Sequence, residues 1–258
     1  MELGKMDLDR LVKRAIKEMS ASTNEAAGIG IFESMDEAVE AARAAQKELV
    51  KMTLTQRADI IEAIRQAAKA NVEANAKLAW EETGMGRYED KVIKDNLAAE
   101  KTPGIEDLQA QVLTGDGGLT LIELSPYGVI GAITPMTNPT ATIICNSIGM
   151  ISAGNSIVFS PHPRATKCSM AVMEVLNRAI VEAGGPANLL TAVTKPSIEN
   201  ANAMMKHPKV NMIVATGGPG VVRAALSTGK KAIGAGAGNP PALVDTTTCP
   251  ASRRRKLL

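Results

Sequence analysis

Asn138 is the residue of this chain whose type and setting most directly suggest chemistry. It lies in a short loop between Thr137 and Pro139, and its side-chain amide can donate a hydrogen bond to a developing oxyanion. A pre-aligned donor of this kind stabilises such a charge by about 3 kcal/mol. Asn is also common in ordinary turns, so this residue alone leaves a catalytic and a purely structural interpretation open.

Three further loops, at 160–163, 216–220 and 234–240, are rich in glycine or proline. The glycines of 216–220 let backbone N–H groups approach an anion at a helix N-terminus. Pro219 suits the first position of that helix. The pattern differs from GxGxxG, however, and each loop is also explained by a tight or proline-stiffened turn.

The composition argues against several classes of function. A net charge of +2 provides no field that would recruit nucleic acid, and 2% aromatic residues argue against base-stacking surfaces. Cys145, Cys168 and Cys249 form no CxxC or metal-ligand pattern, which predicts no metal site and favours a reducing, cytoplasmic setting. No apolar run approaches the roughly 20 residues that span a bilayer, and the N-terminus lacks a secretory apolar core. No membrane partner is therefore predicted.

The four loops are separated by alternating strand and helix patterns. Short apolar runs predict strands at 128–134, 155–160, 189–194, 210–216 and 231–234, with a sixth at 242–245. Helices are predicted between them at 140–153, 166–183, 197–206 and 220–227. This alternation predicts an α/β fold, a Rossmann-like, open, mostly parallel sheet with helices on both faces. Ligands of such sheets bind at the carboxyl ends of the strands, where all four loops fall.

The residues before 128 are predicted to be mainly helical. Ser34 with Glu37 and Thr53 with Gln56 form capping-box patterns, which predict helices over 34–52 and from 54 to Gly84. A further helix is predicted over 88–101, and the charged faces of these helices are expected to be merely solvated. Residues 115–118 predict a turn, and 119–124 are prone to form a strand.

The first twenty residues predict an amphipathic helix. Within 7–19 the apolar residues recur at i, i+3, i+4, i+7, i+8 and i+11. Residues 21–33 are small and polar and predict a linker. The helix either folds back on the domain that follows or serves as a docking peptide, and the sequence leaves both open.

Several segments together resemble the CoA-acylating branch of the aldehyde dehydrogenase family. They are TPMTNPTATIICNSIGM from Thr134, VFSPHPRA from Val158, and ATGGPGVVRAAL from Ala215 with KKAIGAGAGNPPALVD from Lys230. The resemblance covers roughly 35–245 and implies a cofactor domain over 34–245. It implies NAD as cofactor, with NADP left open, and CoA as co-substrate. The implied activity oxidises a small aldehyde, acetaldehyde or propionaldehyde, to an acyl-CoA.

The resemblance also gives roles to the loop residues. It implies that Asn138 helps to form an oxyanion hole, and that His162 stands where many family members have a Lys near the adenosine ribose. Hydrolytic members carry a Glu in the segment matching 234–240, and its absence here suits transfer of the acyl group to CoA. The implied cofactor-binding residues are Thr134, Pro135, Ser160, Pro161, His162, Gly217, Gly218, Gly220, Gly236 and Gly238.

Partners and location follow from the same resemblance. It implies a homo-oligomer for the full-length enzyme. It also makes residues 7–19 a candidate docking segment for a bacterial microcompartment shell or a partner enzyme. The expected location is cytoplasmic, and docking would place the chain in the compartment lumen.

One departure from the family concerns the nucleophile. The chemistry needs a thiolate, which the family places in a separate catalytic domain downstream of 234–240. Cys249 lies too close to that loop, and residues 246–258 form an atypical basic tail. We therefore expect a truncated, frame-shifted or artificially bounded chain that lacks the nucleophilic Cys and is inactive alone. The alternative is a non-catalytic NAD-binding remnant or a docked interaction module.

Overall fold

The structure, a computed structural model, describes residues 30–238 and Pro241. In chain order the strands are β1 (Ile31–Phe32), β2 (Gln111–Gly115), β3 (Gly118–Ile122), β4 (Val129–Ile133), β5 (Ser156–Ser160), β6 (Leu190–Val193), β7 (Met212–Thr216) and β8 (Lys231–Ala235). The helices are α1 (Met35–Leu49), α2 (Leu54–Ala70), α3 (Val72–Thr83), α4 (Tyr88–Lys101), α5 (Pro139–Ser152), α6 (Thr166–Glu182), α7 (Ile198–Lys206) and α8 (Pro219–Leu226).

Six of the strands form one sheet in the order β1-β6-β5-β4-β7-β8, and every neighbouring pair is parallel. The central strands β4 and β5 are buried along their whole length, as expected for apolar strands covered on both faces. The predicted α/β class is confirmed. The five predicted strands between 128 and 234 are present within two residues, while 242–245 lies outside the described residues.

Two layers of helices cover the sheet. Alternate residues of β5 point to opposite faces, so Ile157 and Phe159 join one core cluster and Val158 joins the other. The first cluster packs β5 against α2, α5 and α6, and the second packs it against α1 and α7. None of the helices in the described part of the chain has the length and apolar character needed to cross a bilayer.

The predicted linker over 21–33 overlaps a strand. Ile31 and Phe32 pair in parallel with Ala192 and Val193, and the carbonyl of Gly30 accepts from the N–H of Ala192 at 2.9 Å. Two apolar residues are too few to show a period, so only pairing with β6 identifies them as a strand. Residues 1–29, which include the predicted helix at 7–19, lie outside the described residues.

The helix predicted from 54 to Gly84 is instead two helices. Asn71 ends α2 and begins α3, with φ −112° and ψ 9°, and its side-chain amide donates to the carbonyl of Ala67 at 2.9 Å. A side chain that bonds to the local backbone in this way competes with the helical pattern. The prediction followed apolar spacing, which continues across the break.

Residues 111–122 form a separate antiparallel hairpin. The turn predicted at 115–118 is present, and Gly115 pairs with Gly118 across it. The strand predicted at 119–124 corresponds to β3, whereas β2 was not predicted. All ten strand residues are exposed.

Candidate active site

The four predicted loops meet at one edge of the sheet. They follow β4, β5, β7 and β8, which are consecutive neighbours, and the carboxyl ends of parallel neighbours lie side by side. Backbone hydrogen bonds link the loops in pairs. The N–H of Thr134 donates to the carbonyl of Ser160 at 3.2 Å, and the N–H of Gly217 donates to that of Ala235 at 3.0 Å. The structure thus brings the candidate residues together, although their roles remain predictions.

The β4 and β5 loops contribute buried polar atoms to this edge. Thr134 is 1% exposed, and its hydroxyl Oγ1 has no hydrogen-bond partner among the described residues. Pro135 is half-buried beside it, and Ser160 and Pro161 are buried. His162 is half-buried, and its Nδ1 accepts from the N–H of Arg164 at 3.1 Å, which leaves Nε2 for contact with a ligand.

The β7 and β8 loops contribute open backbone. Gly218 precedes α8 with φ −69° and ψ 165°, and no side chain caps this helix. A Cβ at Gly218, Gly220, Gly236 or Gly238 would have no atom within 4 Å, whereas one at Gly217 would lie 2.9 Å from Cγ1 of Val221. An anion can therefore approach the uncapped N–H groups of α8 closely.

Asn138 does not behave as an ordinary turn residue. It occupies the position before α5 where an Asn side chain usually accepts from the helix backbone, but it makes no such capping bond. Instead its Oδ1 accepts from Nζ of Lys94 at 3.2 Å. Its backbone carbonyl accepts from the hydroxyl and the N–H of Thr142, at 2.6 and 3.1 Å. The side-chain oxygen, the atom that would cap α5, is thus engaged by Lys94 instead.

Helix α4 supplies charged groups that the sequence interpretation missed. Lys91 and Asp95 are 5% and 1% exposed, against the expectation that the charged faces are merely solvated. Burial lowers the pKa of Lys91, and burial raises the pKa of Asp95 to about 6 although Thr140 donates to its Oδ1 at 2.8 Å. Their spacing with Lys94, i, i+3 and i+4, was the available signal of a shared face.

A mainly apolar groove of about 630 Å³ opens beside Asn138. Its walls include Leu97 of α4, Thr142 and Cys145 of α5, and Thr216 at the end of β7. Asn138 therefore lies where an uncharged small molecule can reach its side chain.

Neither described cysteine is placed to act as a nucleophile beside Asn138. Cys168 is fully buried, and burial together with Glu82 raises its pKa to about 12. Cys145 lines the groove, but seven helical positions separate it from Asn138, about 10 Å along the axis. Cys249 lies outside the described residues. The described residues also hold no group of three or more His, Cys, Asp and Glu side chains suited to a metal ion.

Comparison with known proteins gives consistent matches. A scan against protein families matches residues 19–246 to the one described as "Aldehyde dehydrogenase family". A curated relative, the acetaldehyde dehydrogenase (acetylating) EutE of Escherichia coli strain K12, is 48% identical over 249 residues. The match covers 95% of this chain and 53% of that protein. The chain thus spans about half the length of the curated relatives it matches.

Solved structures match in the same way. The propionaldehyde dehydrogenase of Rhodopseudomonas palustris with bound propionyl-CoA has a TM-score of 0.81 and 58% identity, over 85% of this chain and 49% of that one. The propionaldehyde dehydrogenase of the Clostridium phytofermentans fucose utilisation bacterial microcompartment has a TM-score of 0.80 and 52% identity, over 83% and 49%. An engineered glycolyl-CoA reductase with bound NADP+ has a TM-score of 0.82 and 57% identity, over 86% and 51%.

Proposed function

The chain belongs to the aldehyde dehydrogenase family, and on that premise we propose that it provides the nicotinamide-cofactor site and the oxyanion donor of a CoA-acylating enzyme. The proposed substrate is a small aldehyde, acetaldehyde or propionaldehyde. The overall reaction converts the aldehyde, the thiol of CoA and NAD+ into an acyl-CoA thioester, NADH and a proton. The observation that carries the proposal is Asn138, which lies beside an open groove with its side-chain oxygen bonded to Lys94 rather than to the first turn of α5.

The cofactor half of the proposal rests on the carboxyl edge of the sheet. The N-terminus of α8, reached through Gly217 and Gly218, is the proposed contact for the phosphates, with Gly220, Gly236 and Gly238 leaving room for them. The adenosine end of the cofactor is proposed to contact Ser160, Pro161 and His162. The edge of the sheet between this contact and the phosphate contact is proposed to be lined by Thr134 and Pro135. A bound nicotinamide would supply the hydride acceptor. The domain proposed to hold it is 34–245, preceded by β1.

In the acyl half of the proposal, the amide nitrogen of Asn138 donates to the aldehyde oxygen as a thiolate attacks the carbonyl carbon and negative charge develops on that oxygen. Because neither described thiol is suitably placed, the proposal takes the thiolate from outside the described residues. The segment 234–240 contains no acidic residue that could activate water, which favours transfer of the acyl group to CoA.

The first experiment measures binding and turnover on the same purified chain. Calorimetry with NAD+ and with NADP+ tests the cofactor site and decides between the two. NADH formation with acetaldehyde and CoA tests the activity. Binding without turnover is the expected result for a chain whose described thiols are unsuited to attack, and it is also what a non-catalytic cofactor-binding module would show. If the chain bound neither NAD+ nor NADP+, the proposal would be contradicted.

A substitution at Gly218 tests where the cofactor binds. Gly218→Asp introduces a carboxylate into open space at a backbone geometry that Asp adopts readily as a helix cap, so the fold is retained. The new charge lies in the proposed phosphate path and should weaken NAD+ binding at least tenfold, about 1.4 kcal/mol. Gly115→Asp, at an equally open position in the distant hairpin, is the matched control and should bind normally. Equal affinities for the two variants would exclude α8 as the phosphate contact.

We also propose that residues 7–19 dock to a microcompartment shell or to a partner enzyme inside the compartment. The support is the amphipathic spacing of the segment and the similarity of the chain to an enzyme from such a compartment. Leu11→Glu with Ile16→Glu on the apolar face should abolish co-purification with the shell, whereas Arg10→Glu with Lys17→Glu on the polar face should have less effect. If neither pair changes co-purification, the segment is not a docking peptide and the alternative, folding back on the domain, is favoured.

A further inference from the structure

Helix α4 contacts the segment around Asn138 at three points, two in the loop and one at the start of α5. Lys91, Lys94 and Asp95 occupy positions i, i+3 and i+4 and therefore share one face of the helix. Nζ of Lys91 donates to the carbonyl of Thr137 at 3.2 Å, and Nζ of Lys94 donates to Oδ1 of Asn138 at 3.2 Å. Oδ1 of Asp95 accepts from Thr140 at 2.8 Å. One turn of α4 thus contacts the loop before Asn138, Asn138 itself and the first turn of α5.

The contact from Lys94 determines which way the Asn138 amide faces. The oxygen and nitrogen of an Asn side chain are nearly indistinguishable by shape, so their assignment depends on the hydrogen-bonding partners. An ammonium group can only donate. Lys94 therefore requires Oδ1 of Asn138 on its own side, and the NH2 group, the half of the amide that can donate to an oxyanion, points away from the lysine.

The same contact explains why Asn138 does not cap α5. A residue at this position usually turns its side-chain oxygen towards the first N–H groups of the helix. Here that oxygen accepts from Lys94, and the side chain makes no capping bond. An amide that capped α5 would be tied to the helix backbone. The bond from Lys94 thus replaces a structural use of the side chain with an orientation useful for donation.

The two buried charged residues of α4 bond to the chain on either side of Asn138, Lys91 to a backbone carbonyl and Asp95 to a side-chain hydroxyl. Lys91 is 5% exposed and Asp95 is 1% exposed, and burial of such groups is costly unless they are hydrogen-bonded. Lys91 donates to the carbonyl of Thr137 in the loop. Asp95 accepts through Oδ1 from Thr140 in the first turn of α5, while its buried Oδ2 has no partner among the described residues. The segment around Asn138 is therefore held by buried groups. The main motion that remains is rotation of the Asn138 side chain, and this is the motion that the bond from Lys94 restricts.

We propose that Lys94 is a positioning residue that orients the NH2 group of Asn138 away from α4 for donation to the substrate oxygen. Lys91 holds the loop before Asn138, and Asp95 holds the start of α5 after it. The inference rests on the proposed function for its catalytic meaning, but the orientation itself is a property of this chain. It can be measured without cofactor or turnover.

The test follows the side-chain amide of Asn138 by NMR on the whole 15N-labelled chain. Its NH2 signals are identified by their loss in Asn138→Asp. In the unsubstituted chain the 15N order parameter should be near the value of rigid groups, about 0.85. Lys94→Met keeps the aliphatic stem but removes the donor, and the order parameter should fall below about 0.6 as the amide becomes free to rotate. Lys94→Arg keeps donors and should retain the ordered signals.

Lys101→Met is the matched control. Lys101 also lies on α4 and lines the same groove, so its loss should leave the Asn138 signals unchanged. An Asn138 amide that is already mobile in the unsubstituted chain, or equally ordered in Lys94→Met, would overturn the proposal. An ordered amide in a chain that fails to bind NAD+ would leave the role of Lys94 intact and count against the proposed function instead.

Discussion

Asp95 is a buried carboxyl group whose protonation is coupled to folding. Burial raises its pKa from 3.8 to about 6, opposed by the hydrogen bond from Thr140 and by the charges of Lys91 and Lys94. Because the pKa is higher in the folded than in the unfolded chain, the folded chain binds more protons between about pH 4 and pH 6. The contribution of Asp95 to stability therefore falls as the pH rises through that window and is constant above it.

Asp95→Asn should remove this dependence. An amide can still accept from Thr140 but cannot ionise, so the variant should gain stability relative to the unsubstituted chain as the pH rises from about 4 to 7. The gain should reach about 3 kcal/mol, because the pKa of Asp95 rises from 3.8 to about 6 and each pKa unit is worth about 1.4 kcal/mol. Urea unfolding at several pH values measures it. The control is Asp107→Asn, at an exposed position, which should leave the pH dependence of stability unchanged. If the difference in stability between Asp95→Asn and the unsubstituted chain did not vary with pH, protonation of Asp95 would not be coupled to folding.

Single residues of the site were predictable only in part. Asn138 could be singled out because the segment from Thr134 resembles a family motif, since its loop position alone left a structural interpretation open. Lys94 and Asp95 lie about 44 positions earlier on a helix whose charges look like an ordinary solvated face. Their role depends on the packing of α4 against α5, which brings distant residues together. No local pattern contains that information.

Among the elements, β1 extends the sheet through a close backbone approach. Gly30 has φ +89°, and a Cβ there would lie 2.2 Å from the carbonyl oxygen of Leu190 and 2.5 Å from Nδ2 of Asn177. An L side chain is strained at this φ, and the nearer atom belongs to the backbone and cannot move aside. The edge of the sheet at β1 thus requires glycine at position 30.

Gly30→Ala should destabilise the chain by about 3 kcal/mol or more, from the clash and the strained backbone together. Gly149→Ala provides the control of opposite sign. Gly149 lies inside α5, and apart from the neighbouring backbone of that helix no atom lies within 4 Å of the position that an added methyl group would occupy. Alanine should therefore stabilise the helix by up to about 1 kcal/mol. Thermal and urea unfolding measure both. A neutral effect of Gly30→Ala would mean that β1 is not docked against β6 in solution.

Elements with local signals were predicted, and those held only by pairing were not. Ser34 and Thr53 form the capping boxes expected from sequence, each with its partner three residues later. The strands β4 to β8 were recognised from apolar runs. By contrast β1 has only two residues, and β2, QVLTG, lacks the alternation of apolar and polar residues that is weakly present at 119–124.

At the scale of the whole molecule, the β2–β3 hairpin is an apolar surface that the rest of the described chain does not cover. Val112 and Leu121 are paired across it, and with Leu119 they form one face, exposed by 54%, 56% and 69%. Leu113 and Ile122 are exposed on the other face. A two-stranded hairpin is marginally stable by itself in water, and an exposed apolar surface of this kind favours association. Contact with a second copy of the chain would bury it.

We therefore expect this chain to self-associate through the hairpin. Sedimentation velocity should show larger species as the concentration rises, and Leu119→Ser with Leu121→Ser should weaken the association at least tenfold, because it removes two apolar side chains worth about 1.5 kcal/mol or more each when buried. Ile198→Ser is the control, since Ile198 is 74% exposed on α7, away from the hairpin, and it should associate as before. If the unsubstituted chain, the double variant and the control all remained monomeric, the hairpin would not be a contact between copies of the chain. Equal weakening by the control would instead indicate non-specific apolar association.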